Sequence, residues 1–86
     1  MAKIIENDKG FKVIHCNYEQ IVVFGNNEGR CSLCCEIAHD GYYVAATGMW
    51  MCRQCYRRWM ADAVYDVECA ETEERNFEQM RRMLNI

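Results

Sequence analysis

Two short stretches, Cys31-Ser32-Leu33-Cys34 and Cys52-Arg53-Gln54-Cys55, decide how this chain folds, and seventeen residues separate them. The two thiols of a Cys-x-x-Cys pair face the same way, and a linker of this length lets the second pair return to the ion held by the first. Four thiolates form a closed tetrahedral zinc site that has no position for water or substrate. The sequence therefore predicts one structural Zn²⁺ held by Cys31, Cys34, Cys52 and Cys55, and it argues against metal catalysis.

The length and composition of the chain indicate one small domain, residues 1–86, that needs a metal for stability. Eighty-six residues support only a limited hydrophobic core. An odd number of cysteines, seven, and charged residues soon after Met1 favour a reducing, cytoplasmic setting over a secreted disulfide scaffold. No apolar run reaches the roughly 18 residues of a membrane span, so we expect no membrane association.

The segment 1–29 is expected to form a β-hairpin followed by one short element. Residues 3–6 and 11–16 have extended patterns, and the turn chemistry of Asn7–Gly10 lies between them. The partial alternation in 11–16 predicts a strand buried mainly on one side. Residues 17–25 are ambiguous between strand and helix. Their β-branched residues favour a strand, but Asn17 three residues before Gln20 resembles a capping box and slightly favours a short helix.

The segment 30–70 is predicted to fold as a treble-clef finger, which makes the whole a small α+β zinc-bound domain. The order is the Cys31–Cys34 knuckle, a hairpin with strands at 42–45 and 49–51, and a helix over roughly 53–69. The helix is indicated by a continuous apolar stripe at helical spacing. That stripe comprises Tyr56, Trp59, Met60, Ala63, Val64, Val67 and Ala70.

The segment 71–86 is expected to form a second helix with Thr72 as its N-cap. Acidic residues 73 and 74 suit the positive end of the helix dipole, and arginines 81 and 82 suit the negative end. The buried edge of this helix is expected to comprise Phe77, Met80 and Leu84.

The cysteine framework, with Trp50 just before the second pair and an amphipathic helix after it, resembles the N-terminal zinc-binding domain of the unfoldase ClpX. It is also similar to half of a LIM domain. The resemblance covers roughly residues 30–65. It implies a four-cysteine zinc site at the residues named above, self-association, and docking of adaptors or substrates. The chain departs from that pattern in its N-terminal extension and at Cys35, where such knuckles usually carry a glycine that accepts positive φ.

Other cysteines and histidines offer alternatives to this ligand set. Cys35 could replace Cys34 through a Cys-x-x-x-Cys register, but the x-x spacing matches the second pair. His39 could substitute as a ligand, although its position before Asp-Gly is typical of a turn residue. Cys16 and Cys69 lack a partner at ligand spacing and are expected to be small buried residues.

The surplus of large apolar residues favours a non-enzymatic, adaptor-like protein-interaction module. Two tryptophans, five tyrosines, three phenylalanines and six methionines exceed what a small interior can hold. A homodimer is the simplest partner prediction. His15 is expected to be an ordinary half-exposed side chain, and nothing places a nucleophile beside a base. We therefore expect neither an enzyme nor a small-molecule substrate.

Nucleic-acid binding is the alternative function. Arg53, Arg57 and Arg58 open the main helix and could contact phosphates, while Trp50 or Tyr56 could stack on a base. Against this, residues 61–79 carry seven acids and one base, and the chain has a formal charge of −3. A second interpretation is that the arginines offset the negative charge of a zinc–thiolate centre.

Overall fold

The computed structural model describes residues 2–5, 9–17, 19–20, 22 and 30–86. Four strands form one antiparallel sheet in the order β1-β2-β3-β4: β1 (Lys3–Ile5), β2 (Val13–Asn17), β3 (Asp40–Val44) and β4 (Met49–Cys52). They are followed by α1 (Arg53–Asp62), a 3₁₀ turn (Val67–Cys69) and α2 (Ala70–Leu84). The described chain is thus a small α+β domain, as predicted.

The antiparallel pairing of the N-terminal hairpin is confirmed, but the burial of its second strand is not one-sided. Residues 6–8, which belong to the predicted first strand and turn, lie outside the described residues. Ile4 lies opposite Ile14 in the β1–β2 ladder. Gly10, in the connection, has a φ of 85°, which glycine adopts at little cost. Val13 and Ile14 point to opposite faces of the sheet, yet both are 0% exposed. The prediction of one-sided burial was wrong because a helix covers each face.

The two helices pack on opposite faces of the sheet and define two hydrophobic clusters. The cluster on the α1 face contains Phe11, Val13, Cys31, Val44, Met51 and Cys55. The cluster on the α2 face includes Ile14, Cys16, Tyr43, Trp50, Phe77 and Met80. The central strands therefore carry apolar side chains on both faces, which absorbs much of the apolar surplus noted in the sequence.

The hairpin between the cysteine pairs is present and carries the second pair to α1. The turn predicted at Asp40-Gly41 was wrong, because both residues belong to β3 and pair with β2. Tyr43 lies opposite Trp50 across the β3–β4 ladder. Gly41 is required in β3, since a Cβ there would lie 2.7 Å from Cε2 of the Trp50 ring. The indole nitrogen of Trp50 donates to the Cys16 carbonyl oxygen at 3.2 Å, which fixes the ring in the core. Cys52, the last residue of β4, is also the N-cap of α1.

The first helix ends earlier than the apolar stripe predicts. Ala63 is extended, with φ −70° and ψ 139°, and Val64 and Val67 are 85% and 77% exposed. The ammonium group of Lys9 donates to the carbonyl oxygens of Met60 at 2.5 Å and Ala63 at 2.7 Å. This lysine satisfies carbonyl groups that would otherwise lack partners at the helix end. The predicted helix over 53–69 was therefore wrong beyond Asp62.

The second helix begins at Ala70, two residues before the predicted N-cap Thr72. The reason is that the 3₁₀ turn runs directly into it, with the Asp66 carboxylate accepting the Glu68 amide at 2.9 Å. The predicted basic last turn is present, but the acidic first turn comprises Glu71 and Glu73 rather than residues 73 and 74, because the helix begins earlier. Phe77 and Met80 are buried as predicted, and Leu84 is half-buried.

The capping box proposed for Asn17 and Gln20 is confirmed. The Asn17 amide donates to the Gln20 side-chain oxygen, and the Gln20 amide donates to the Asn17 side-chain oxygen, each at 2.9 Å. Glu19, Gln20 and Val22 have helical backbone. The rest of the predicted segment, residues 18, 21 and 23–25, lies outside the described residues.

Candidate metal centre

The sulfur atoms of four cysteines converge between the knuckle and the start of α1. They belong to Cys31, Cys34, Cys52 and Cys55, and all lie within 4.8 Å of one another. The Sγ atoms of Cys34 and Cys52 are 3.9 Å apart, near the roughly 3.8 Å edge of a tetrahedron with zinc–sulfur bonds of about 2.3 Å. The group is therefore positioned to hold one metal ion, and an all-thiolate tetrahedral set is typical of zinc.

Backbone hydrogen bonds shape the knuckle. The Leu33 amide donates to Cys31 Sγ at 3.3 Å, and the Cys35 amide donates to the Cys31 carbonyl oxygen at 2.9 Å. The Ser32 amide donates to the Trp50 carbonyl oxygen at 2.9 Å, which ties the knuckle to the edge of β4. These hydrogen bonds orient the first cysteine pair toward the second.

The second pair lies at the N-terminal end of α1. Cys52 is the extended N-cap residue, and Cys55 is buried in the first turn. The unpaired amides and the positive dipole end of a helix favour negative charge at this position. Both sulfurs of the second pair therefore lie where a thiolate is stabilised.

Two of the four sulfurs have pKa values that are shifted in opposite directions. Burial would raise the pKa of Cys31, but the backbone amides of Cys34, Cys52 and Leu33 donate to its sulfur and lower the pKa to about 6. Burial and hydrogen bonds with the neighbouring thiols raise the pKa of Cys55 to about 12. The first thiolate in the cluster thus disfavours ionisation of the neighbouring thiols. A bound divalent cation would displace the protons that remain on them.

Cys35 adopts the backbone conformation that glycine usually supplies. Its φ is 64°, its side chain is exposed, and its carbonyl oxygen accepts from the Arg30 guanidinium at 3.1 Å. Among the described residues, neither Cys35 nor His39 belongs to the convergent group. The sulfur geometry therefore favours the register that uses Cys34.

Asp40 organises a polar network beside the metal centre that the sequence did not indicate. Its Oδ2 atom lies 3.1 Å from Nε2 of His15 and 3.4 Å from a guanidinium nitrogen of Arg53. The hydrogen bond with His15 and the charge of Arg53 hold the pKa of the Asp40 carboxyl below its usual range. His15 also contacts the Tyr42 ring, 5.0 Å between centroids. His15 is therefore half-buried and paired rather than an isolated side chain.

The two cysteines without ligand spacing have different environments. Cys16 is buried, and burial raises the pKa of its thiol to about 11, which makes it unreactive. Cys69 is exposed, so the prediction that it is buried was wrong. The reason is that Cys69 lies in the 3₁₀ turn, none of whose residues is buried.

A groove runs beside the metal centre, between the knuckle and the start of α1. Glu36, Ile37 and Arg53 are among the residues that line it. Ile37 is 67% exposed, and Leu33 on the knuckle is 46% exposed. We call the surface formed by Glu36, Ile37 and Arg53 the knuckle face; Leu33 lies on the adjacent knuckle, outside the lining of the groove. The knuckle face combines an exposed apolar side chain with charges of both signs.

Comparison with family models, with characterised proteins and with solved structures gives no match to this chain. The resemblance to the ClpX domain and to half of a LIM domain therefore rests on cysteine spacing and element order. Within the part of the chain that the structure describes, neither helix is long and apolar enough to span a bilayer. What the structure supports is a tetra-cysteine metal centre in a small α+β domain.

Proposed function

We propose that this chain is a zinc-stabilised, non-enzymatic protein-interaction module that self-associates through the knuckle face. The observation that carries the proposal is the 67% exposure of Ile37 on this face, together with the 46% exposure of Leu33 on the adjacent knuckle. Both residues belong to a segment held in place by the metal ligands. Large apolar side chains kept exposed on a rigid loop are typical of partner surfaces.

The charges of the knuckle face favour a second copy of the chain as the partner. Glu36 and Arg53 line the same groove, so the surface carries an acid and a base within a short distance. In a two-fold dimer the same patch contacts itself, and each base can lie opposite an acid of the other copy. The side chain of Arg53 is 58% exposed even though it pairs with Asp40, which leaves it accessible to a partner.

The closed ligand set supports a structural rather than a catalytic role for the metal. Four protein thiolates fill a tetrahedral zinc ion and leave no position for a substrate. The metal would stabilise the knuckle, which has few buried side chains of its own. Its exposed residues are Leu33, Cys34, Cys35 and Glu36. An adaptor-like role follows, in which the metal fixes a surface rather than a reacting group.

Light scattering coupled to size-exclusion chromatography tests self-association of the metal-loaded chain. We expect a mass that rises with concentration toward twice the 10.2 kDa of one chain. Ile37→Ser should shift this transition to higher concentration. Val67→Ser removes a comparably exposed apolar side chain from the 3₁₀ turn and should have no effect. A monomer at all concentrations, or equal effects of the two variants, would contradict the proposal.

Nucleic-acid binding is the second candidate, and the exposure of Arg57 and Arg58 on α1 is the observation in its favour. Its test is retention of single-stranded DNA by the wild-type chain and by the double variant Arg57→Ser/Arg58→Ser. The double variant Arg75→Ser/Arg82→Ser, on the exposed side of α2, has the same charge change. Salt-sensitive binding lost only in the first double variant would replace the self-association proposal with this function.

A further inference from the structure

A second groove lies at the end of α1 that is farthest from the metal. Its lining includes Phe11 from the β1–β2 connection, Trp59 from α1, and Tyr65 and Asp66 from the connection to α2. We call it the aromatic groove. α1 has ten residues and is therefore about 15 Å long. This length separates the aromatic groove from the metal centre at the other end of the helix.

Three aromatic rings form the walls of this groove. Phe11 is only 6% exposed and forms its floor. The Trp59 ring lies 4.9 Å from the Phe11 ring at an angle of 61°, and the Tyr65 ring lies 5.3 Å from it at 66°. The Tyr65 hydroxyl donates to the buried Glu73 carboxylate at 3.2 Å, which fixes the ring. Both contacts have the T-shaped geometry that aromatic pairs prefer, so the three rings line the groove as one packed group.

The surroundings of the aromatic groove are acidic. Asp66 lines it, and the exposed residues Glu68 and Glu71 follow closely in the chain. The ammonium group of Lys9 donates to the carbonyl oxygens at the end of α1 and keeps its positive charge there. A cation in the groove would lie beside aromatic rings and the Asp66 carboxylate, and both attract positive charge.

We propose that the aromatic groove binds the trimethylammonium group of a methylated lysine on a partner protein. Two of its side-chain polar groups already have partners: the Thr47 hydroxyl donates to the Val44 carbonyl oxygen at 3.0 Å, and one Asp66 oxygen accepts the Glu68 amide at 2.9 Å. An unmodified lysine brings three N–H donors and an arginine five, whereas a trimethylammonium group brings none. The groove therefore suits a cation that needs no acceptor.

Fluorescence titration of the metal-loaded chain tests this site, because Trp59 lies in the groove whereas Trp50 is 2% exposed on the α2 face. The probes are a glycine-flanked peptide with trimethyl-lysine, the same peptide with unmodified lysine, and a neutral isostere with a tert-butyl group. We expect the trimethyl-lysine peptide to bind about fivefold or more tightly than either of the others. Equal binding of the neutral isostere, or no binding of the trimethyl-lysine peptide, would overturn the proposal.

Free choline distinguishes a protein ligand from a small molecule. If choline binds as tightly as the trimethyl-lysine peptide, the assignment to a partner protein is wrong. Asp66→Asn keeps the oxygen that caps the 3₁₀ turn but removes the charge, and it should weaken peptide binding severalfold. Asp62→Asn makes the same change at the end of α1, outside the lining, and equal effects of the two would overturn the placement. Ile37→Ser should leave this binding unchanged, so the result does not depend on self-association.

Discussion

The two ends of α1 are built by different kinds of interaction. At its N-terminal end, every sulfur of the metal centre comes from within residues 31–55, and short-range amide hydrogen bonds aim the knuckle. At its C-terminal end, the contacts join distant parts of the chain: Lys9 reaches Ala63, and Phe11 packs on Trp59 and Tyr65. One end therefore depends on an ion and local spacing, and the other depends on packing between segments.

The largest expected effect comes from removing the metal. Chelation, or Cys52→Ser, should unfold the metal end and with it most of the domain, because zinc binding to such sites contributes about 10 kcal/mol or more. Without the ion, the sulfurs hold competing protons, as the pKa of about 12 at Cys55 indicates. Elemental analysis before chelation should find one zinc per chain. Circular dichroism during chelation then measures the loss of secondary structure.

Cys69→Ser is the control for Cys52→Ser, because it removes an exposed thiol outside the sulfur cluster. It should leave the metal content and the melting temperature unchanged. If chelation left the circular dichroism unaltered, both ends of α1 would be stabilised by packing alone, and the contrast between them would disappear.

The difference between the two ends also explains what could be predicted from the sequence. The four convergent cysteines could be predicted from their spacing in the sequence. That prediction does not depend on where the surrounding strands and helices begin and end. The apolar stripe through Val64 and Val67 continues at helical spacing, yet the helix stops. The reason is that Lys9 donates a hydrogen bond to a carbonyl oxygen at the end of the helix, and that the Tyr65 ring packs on Phe11. No local sequence pattern predicts contacts between such distant residues.

The same limit applies beside the metal centre. Asp40 pairs with His15, 25 residues earlier in the chain, and in the sequence it looks like half of an Asp-Gly turn. The capping box at residues 17 and 20 shows the converse, since both partners lie within one helical turn and could be paired from the sequence alone. Contacts between residues close in sequence could therefore be predicted, whereas contacts between distant residues could not.

The Glu73 side chain joins separate segments at the packed end of α1. This carboxylate is 2% exposed, and its two oxygens accept from the Lys12 amide at 3.0 Å and the Tyr65 hydroxyl at 3.2 Å. Glu73→Gln keeps an oxygen for the Lys12 amide and can donate its NH₂ group to the Tyr65 hydroxyl, but both hydrogen bonds lose their charge assistance. We expect a loss of about 1–2 kcal/mol in the free energy of unfolding. Urea unfolding at saturating zinc measures it.

Glu74→Gln provides the matched control, because Glu74 is exposed one residue further along α2. A surface change of this kind should alter the free energy of unfolding by less than about 0.5 kcal/mol. Zinc affinity should be the same in both variants if the two ends are independent. A lower zinc affinity in Glu73→Gln would instead show that packing at the far end supports the metal centre.

A smaller effect of opposite sign is expected at Cys35. Its φ of 64° is costly for a residue with a side chain, so Cys35→Gly should stabilise the metal-loaded chain by about 1 kcal/mol. Cys35→Ser keeps the strain and should leave the free energy of unfolding unchanged. Thermal unfolding of the three chains at equal zinc concentration makes the comparison. Loss of zinc from Cys35→Ser would mean that Cys35 is a ligand and that the register through Cys34 is wrong.

The smallest effect is expected at Asp40, beside the metal centre. Its pKa is lowered in the folded chain by the hydrogen bond with His15 and the charge of Arg53. Such a group stabilises the fold above its unfolded pKa of about 4, and this contribution is lost as the pH falls through the lower folded value. At pH 7 it is fully present. Because the carboxylate is partly exposed, Asp40→Asn should cost only about 0.5 kcal/mol.

Salt provides the measurement for Asp40, because acid would also protonate the thiolate ligands and release the metal. Urea unfolding of the wild type and Asp40→Asn at pH 7 should show the difference at low ionic strength and lose it near 1 M salt, where charges are screened beyond about 3 Å. Asp62→Asn, on the exposed end of α1, should show no difference at either ionic strength. A cost that persists in high salt would mean that Asp40 acts through hydrogen-bond geometry at the start of β3 rather than through its charge.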